Sequence, residues 1–271
     1  MLVIEVLVVA LLIESSTCYT AEEQDEIVHS HNEYRKHAKP KAGDMRRLVW
    51  DDEVANMAEY WVSTCPTDHN PNRNNYGENI AFSTVPFEGD MLLIGIDRWY
   101  DEVKDYKYKE GACTGVCGHY TQVEDARSLK VGCARNLDPC VNNKYPYVFV
   151  CNYDPAGNMV GEKPYSVGKP CSRCHDDAKY CDADGFCSDC TPGSGDCECK
   201  RICANGGTLN EEDCSCTCDT SSGYWGSLCT DKCENSASCD QYLTWDNSIV
   251  CANDYFYNSC ALKCQPDCQS S

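Results

Sequence analysis

Twenty-five of the 271 residues are cysteine, and that density marks a disulfide scaffold. Cytosolic glutathione would keep such thiols reduced, so the chain is expected in an oxidising compartment. The cysteines are unevenly spread. Six lie in residues 21–165 and eighteen in residues 171–268, with Cys18 ahead of both sets. The first segment carries enough apolar residues for a hydrophobic core. The second is too poor in them to fold without covalent staples. Spacing divides the eighteen into three groups of six: Cys171 to Cys197, Cys199 to Cys229, and Cys233 to Cys268. Each group can close three bridges, in any of 15 arrangements.

The N-terminus fits the same compartment. Residues 6–13 form an unbroken apolar run, and Ser16 and Cys18 are small residues at a suitable cleavage point. Residues 1–18 therefore read as a signal peptide, despite Glu5 where a basic residue is usual. Its removal leaves 24 cysteines, an even number that suits complete pairing. No other apolar run reaches the ~18 residues that span a bilayer. A secreted, extracellular protein without a transmembrane segment is expected. The net charge of −20 repels phosphate backbones, which argues against nucleic acid as a partner.

Periodicity in the first segment predicts helices over about 22–38, from Asp51 or Asp52 onward, and about 88–104. In the second of these, Val54, Met57, Ala58, Trp61 and Val62 recur at helical spacing. Strand-like runs follow at 130–134 and 145–153, rich in Val, Tyr and Phe. Helices with a late strand pair give an α+β class, with helices on both faces of a sheet. The polar linker 166–170 marks a domain boundary, and Pro192-Gly193-Ser194-Gly195 a flexible joint. The expected organisation is a domain over 21–165, a Cys-rich hinge over 166–197, and modules over 198–230 and 233–268.

Six blocks occur in order over the first segment. They are His31-Asn32-Glu33-Tyr34-Arg35, Gly77-Glu78-Asn79-Ile80, Trp99-Tyr100-Asp101-Glu102, Gly118-His119-Tyr120-Thr121-Gln122-Val123, Val131-Gly132-Cys133-Ala134, and Cys151-Asn152-Tyr153-Asp154-Pro155 with its continuation to Asn158. Together they resemble the CAP superfamily of cysteine-rich secretory, antigen 5 and pathogenesis-related 1 proteins. The resemblance implies an α-β-α sandwich and the bridges Cys65–Cys140 and Cys133–Cys151, leaving Cys113–Cys117 as a local pair. Glu124 and Asp125 depart from the pattern, which has an apolar residue and Trp there. Cys203-Ala204-Asn205-Gly206-Gly207 with the cysteines to Cys229 resembles an EGF-like module, and the last group resembles ShK-type domains more distantly.

The resemblance also places His69, Glu78, Glu102 and His119 around a central cleft. Two imidazoles and two carboxylates suit a divalent ion such as zinc. They would equally hold a hydrogen-bond network with no ion, and the residue types do not choose between the two. His119 is expected at the start of a strand. No nucleophile elbow or His-Glu-x-x-His motif is present, so the expected function is non-enzymatic: binding of extracellular protein partners or apolar ligands such as sterols. The alternatives are a metal-assisted hydrolase or protease, which needs no nucleophilic side chain, and a venom or defence toxin acting through the tail. Cys171-x2-Cys174 and Cys187-x2-Cys190 have zinc-ribbon spacing, but bridges are expected there in a secreted chain.

Overall fold

The structure is a computed structural model describing residues 19–191, 197–236, 239, 242, 247–252 and 259–268. Residues 1–18, read above as a signal peptide, and the joint at 192–195 lie outside the described residues. The described residues form two compact units. One holds 19–31, 48–123 and 128–160, and the other holds 32–47, 124–127 and 161–268.

The first unit is the sandwich. Helix α1 runs over Ala21–Lys36, with acidic residues in its first turn and basic ones in its last, which suits the helix dipole. Strand β1 (Val49–Trp50) leads into α2 (Asp52–Ser63). Asp51 caps α2 by accepting from the amides of Glu53 and Val54, which satisfies two of the free N–H groups of its first turn. Then come β2 (Gly77–Ser83), α3 (Asp90–Tyr100), the short hairpin β3 (Tyr106–Lys107) and β4 (Ala112–Cys113), α4 (Gly118–Val123), β5 (Lys130–Arg135) and β6 (Tyr147–Asp154).

The sheet order is β1-β5-β6-β2, with β1 parallel to β5 and the other pairs antiparallel. Cross-strand partners share a face, so Ile80, Val150 and Ala134 point the same way. They pack with Val148 against Ala58 and Val62 of α2. Helix α2 comes close because Gly132 has no side chain: a Cβ there would sit 2.1 Å from the Ala55 nitrogen. On the other face Phe149 stacks on Trp99 of α3 at 5.0 Å between ring centroids and also meets Phe87. Bridges Cys65–Cys140, Cys113–Cys117 and Cys133–Cys151 close this unit.

Two local readings change, and one strand had no reading in the sequence. The helix predicted to 104 leaves α geometry after Tyr100 and continues as a 3-10 turn over Asp101–Asp105. His119 stands in the short helix α4, not at the start of a strand. Strand β2 has no clean alternation, because its edge position buries Glu78 and Asn79 for other reasons than packing.

The second unit is built on bridges. The three groups close internally: Cys171–Cys181, Cys174–Cys187 and Cys190–Cys197; Cys199–Cys214, Cys203–Cys216 and Cys218–Cys229; Cys233–Cys268, Cys239–Cys260 and Cys251–Cys264. Compactness groups the chain differently from cysteine density. The Gly43 amide donates to the Ser166 carbonyl, and the Arg173 and Cys187 amides donate to the carbonyls of Gly43 and Met45. These bonds draw residues 32–47 into the second unit. Glu124 and Asp125 are also there, fully buried. Asp125 is held by Arg127 at 2.7 Å, and the Arg35 guanidinium donates to the Asp125 carbonyl at 2.7 Å. Arginines thus occupy the chemistry of a place where the family pattern has apolar bulk.

Candidate functional site in the cleft at the edge strand

Strand β2 is a sheet edge, so its neighbours can reach around it from both faces. Glu78 shares its face with Ile80 and the α2 core. Asn79 points to the other face, where its Nδ2 donates to the His119 carbonyl at 3.1 Å. The four candidate residues accordingly arrive as two pairs, one from each side.

In the first pair, His69 Nδ1 lies 2.7 Å from Glu78 Oε1, which also accepts from the Asn70 amide at 3.0 Å. The Glu78 side chain is fully buried and that of His69 is 42% exposed. The carboxylate is the anchor and the imidazole is the part presented to the cleft. In the second pair, His119 Nδ1 lies 2.6 Å from Glu102 Oε1, while Glu102 Oε2 accepts from the amides of His119 and Tyr120 at 3.0 and 3.4 Å. The His119 ring also lies flat over Trp99, 6.0 Å between centroids and 18° between planes.

A carboxylate oxygen accepts, so in each pair Nδ1 is the donor, and whenever the ring is neutral its lone pair lies on Nε2. Among the described residues neither Nε2 has a hydrogen-bond partner. The two rings face each other across 6.5 Å, tilted by 31°. Both line one cleft of about 690 Å³ together with Glu78. Glu102 supports His119 from behind and is not part of the lining. The four residues do not meet as a cage of four ligand atoms. Among the described residues only Cys171, Cys174 and Cys187 place three such atoms within 4.8 Å, and those sulfurs are in bridges, hence not free thiolates.

The cleft floor is set by residues whose roles are invisible in sequence spacing. Gln122 Oε1 accepts from the Gly157 amide at 3.2 Å, and its Nε2 donates to Ser128 Oγ at 3.0 Å. Gln122 fits there because Gly77 is bare; a Cβ on Gly77 would lie 2.2 Å from Gln122 Oε1. Asn70 is fully buried and shapes the loop that carries His69. Its Oδ1 accepts from the Asn72 amide at 2.9 Å. Nothing in the types or spacing of these residues marked them beforehand, except that Gly77 and Gln122 lie in matched blocks. Glu78 Oε2 is buried without a partner among the described residues. A donor arriving with a bound ligand would satisfy it, and two imidazoles with carboxylates behind them fit a borderline ion such as zinc.

Residues 28–153 match CAP, the cysteine-rich secretory protein family. The cysteine-rich venom protein of Conus textile is 32% identical over 263 residues, covering 90% of this chain and 80% of that protein. GLIPR1-like protein 1 of Mus musculus is 36% identical over 160 residues, which span 55% of this chain and 66% of the mouse protein. Among solved structures, the crystal structure of NaASP2 with Zn2+ superposes with a TM-score of 0.50 at 28% identity, over 62% of this chain and 96% of that one. An α+β sandwich with this sheet order and a disulfide-rich C-terminal region accords with these matches, and the chain belongs to the CAP family of cysteine-rich secretory proteins.

Proposed function

We propose that this chain is a secreted, non-enzymatic binding protein whose cleft holds a divalent metal, zinc foremost, between His69 and His119. The observation that carries the reading is the tautomer lock. Two carboxylates hold Nδ1 of two neighbouring imidazoles that line one cleft, which leaves Nε2 of each neutral ring as its ligand atom. Glu78 and Glu102 act behind the imidazoles, orienting them as ligands. The relative named for its structure with Zn2+ supports the choice of ion. A bound ion supplies a positive Lewis-acidic centre for ligands. Both Glu102 oxygens are engaged by protein donors, so that carboxylate serves to position His119.

The outer partners are extracellular proteins or apolar ligands such as sterols, a reading that rests on the family resemblance. The middle cysteine group is read as an EGF-like module. Its bridges run first to third, second to fourth and fifth to sixth, and it carries a two-stranded sheet over Thr208–Asn210 and Ser215–Thr217. The venom protein match covers 90% of this chain, tail included, which supports a second reading as a venom or defence protein. Expression confined to a venom or secretory gland supports that reading; uniform expression removes it.

Calorimetry with zinc on the whole protein tests the metal. Uptake of one ion, lost in His69→Ala with His119→Ala, is the expected result. Absence of uptake leaves the pairs as a plain structural network.

A further inference from the structure

The cleft contains more recognition chemistry than a metal needs. Arg73 lines it, and among the described residues its side chain donates from Nη1 to the Asn70 carbonyl at 2.9 Å. Among the described residues no carboxylate pairs with it, in a chain of net charge −20. A guanidinium has five N–H donors in a planar fork, so most of its capacity is free. Its position is fixed, because Asn70 is fully buried and its amide donates to the Glu78 carboxylate that also holds His69. One buried asparagine thus sets both an imidazole and a guanidinium on the same loop.

The charge at this place depends on the metal. Arg73 contributes one positive charge, and Glu78 and Glu102 contribute two negative ones behind the imidazoles. A divalent cation between the imidazoles reverses the sign, and an anion then meets two cationic centres.

Two apolar side chains line the same cleft, Val116 and Met159, and they are 67% and 50% exposed. Their segments are tied together. Asn158 Nδ2 donates to the Gly118 carbonyl at 2.8 Å, and Thr121 Oγ donates to Asn158 Oδ1 at 2.5 Å. The remaining lining is rich in amide side chains, among them Asn74 and Asn75. Such a lining matches peptide groups and gives a long acyl chain no apolar cover.

We infer that the cleft recognises a peptide carboxylate, clamped by Arg73 and the metal-bearing imidazole pair, with an adjacent apolar side chain resting on Val116 and Met159. This rests on the metal reading above. Bidentate Arg–carboxylate pairing gives the orientation, the metal gives the counter-charge, and the two apolar residues select the neighbouring side chain.

The test uses the whole protein with and without zinc, titrated calorimetrically with acetyl-alanyl-alanyl-leucine, its C-terminal amide, and an amidated peptide ending in leucyl-glutamate. Decanoate serves as a non-peptide carboxylate. Zinc uptake without peptide is measured first for wild type and each variant. The expected result is binding of at least one carboxylate peptide in zinc, with the fully amidated peptide and the zinc-free protein weaker by about tenfold or more. Arg73→Gln should show the same loss while taking up zinc like wild type, and Met159→Ser should weaken binding of the carboxylate peptides without altering zinc uptake. The acid and glutamate peptides separate a chain terminus from an acidic side chain. Binding of the full amide as tight as that of both carboxylate peptides, or an unaltered Arg73→Gln, overturns the inference and leaves the metal reading intact. Decanoate binding as well as the peptides overturns the peptide assignment. No zinc uptake by wild type overturns both readings.

Discussion

The His31 imidazole and the Tyr153 hydroxyl are joined at 2.9 Å inside the sandwich. His31 Nδ1 lies 2.8 Å from the Ile27 carbonyl, which can only accept. Nδ1 is therefore the donor, and Nε2 accepts from Tyr153. The Tyr153 oxygen in turn accepts from Asn79 Nδ2 at 3.3 Å, and the same Nδ2 reaches the His119 carbonyl. A directed chain of hydrogen bonds thus runs from α1 to the backbone of a cleft residue.

Tyr153→Phe removes the middle of that chain at a fully buried position. The expected loss is about 1–3 kcal/mol of stability. Chemical denaturation at neutral pH measures it. A smaller but detectable fall in zinc affinity should accompany it, because the His119 backbone loses part of its support.

Gly132→Ala sets a methyl group against the α2 backbone, 2.1 Å from the Ala55 nitrogen. Neither the helix nor the central strand can yield cheaply, and such overpacking costs on the order of 1–3 kcal/mol or more. Thermal unfolding of the variant should show a lower midpoint, with the cysteines still fully paired by mass.

Glu124 has both carboxyl oxygens buried without hydrogen-bond partners among the described residues. Burial pushes its carboxyl up to about 8, against a smaller opposing effect of the Arg35 charge. The folded protein keeps this proton where the unfolded chain has lost it, so folding takes up a proton between the ordinary Glu range near 4.5 and about 8. The contribution is fully present below that window and is lost as pH rises through about 8. Stability should fall with rising pH across it. Glu124→Gln should flatten that slope and be more stable than wild type above pH 8. Denaturant midpoints measured from pH 5 to 9 check this, and an unaltered slope in the variant refutes it.

A fragment ending at Tyr165 keeps Cys65, Cys113, Cys117, Cys133, Cys140 and Cys151, and so every bridge of the first unit. It loses the Ser166, Arg173 and Cys187 backbone groups that pair with residues 43 and 45. We expect it to fold and take up zinc, with faster amide hydrogen exchange over 41–46 than in the whole chain. Scrambled bridges in its peptide map would show that the first unit needs the Cys-rich segment to form.

Sequence carried the frame of this molecule well where one force acts alone. The α2 stripe from Val54 to Val62 is periodic because one face meets the sheet, and Asp51 caps it as its type suggests. Strand β2 was illegible because its residues serve two tasks at once. Ile80 packs, while Glu78 and Asn79 are buried to hold histidines. Resemblance found the two imidazoles and two carboxylates but not their order of action. That the carboxylates stand behind the imidazoles follows from which nitrogen each one touches. Arg73, Asn70 and Gln122 are set by loop geometry, which leaves no period or spacing to read.

The closure of bridges within three blocks of six has a consequence for synthesis. Eighteen cysteines paired without restriction have on the order of tens of millions of arrangements, whereas a block of six has about 15. Here every tail cysteine finds its partner inside its own block. In a chain threaded from its N-terminal end into an oxidising compartment, each block can complete its set before the next arrives. No tail cysteine waits for a mate in a later block. The search is then three short problems solved in sequence, and an isomerase has only local errors to correct.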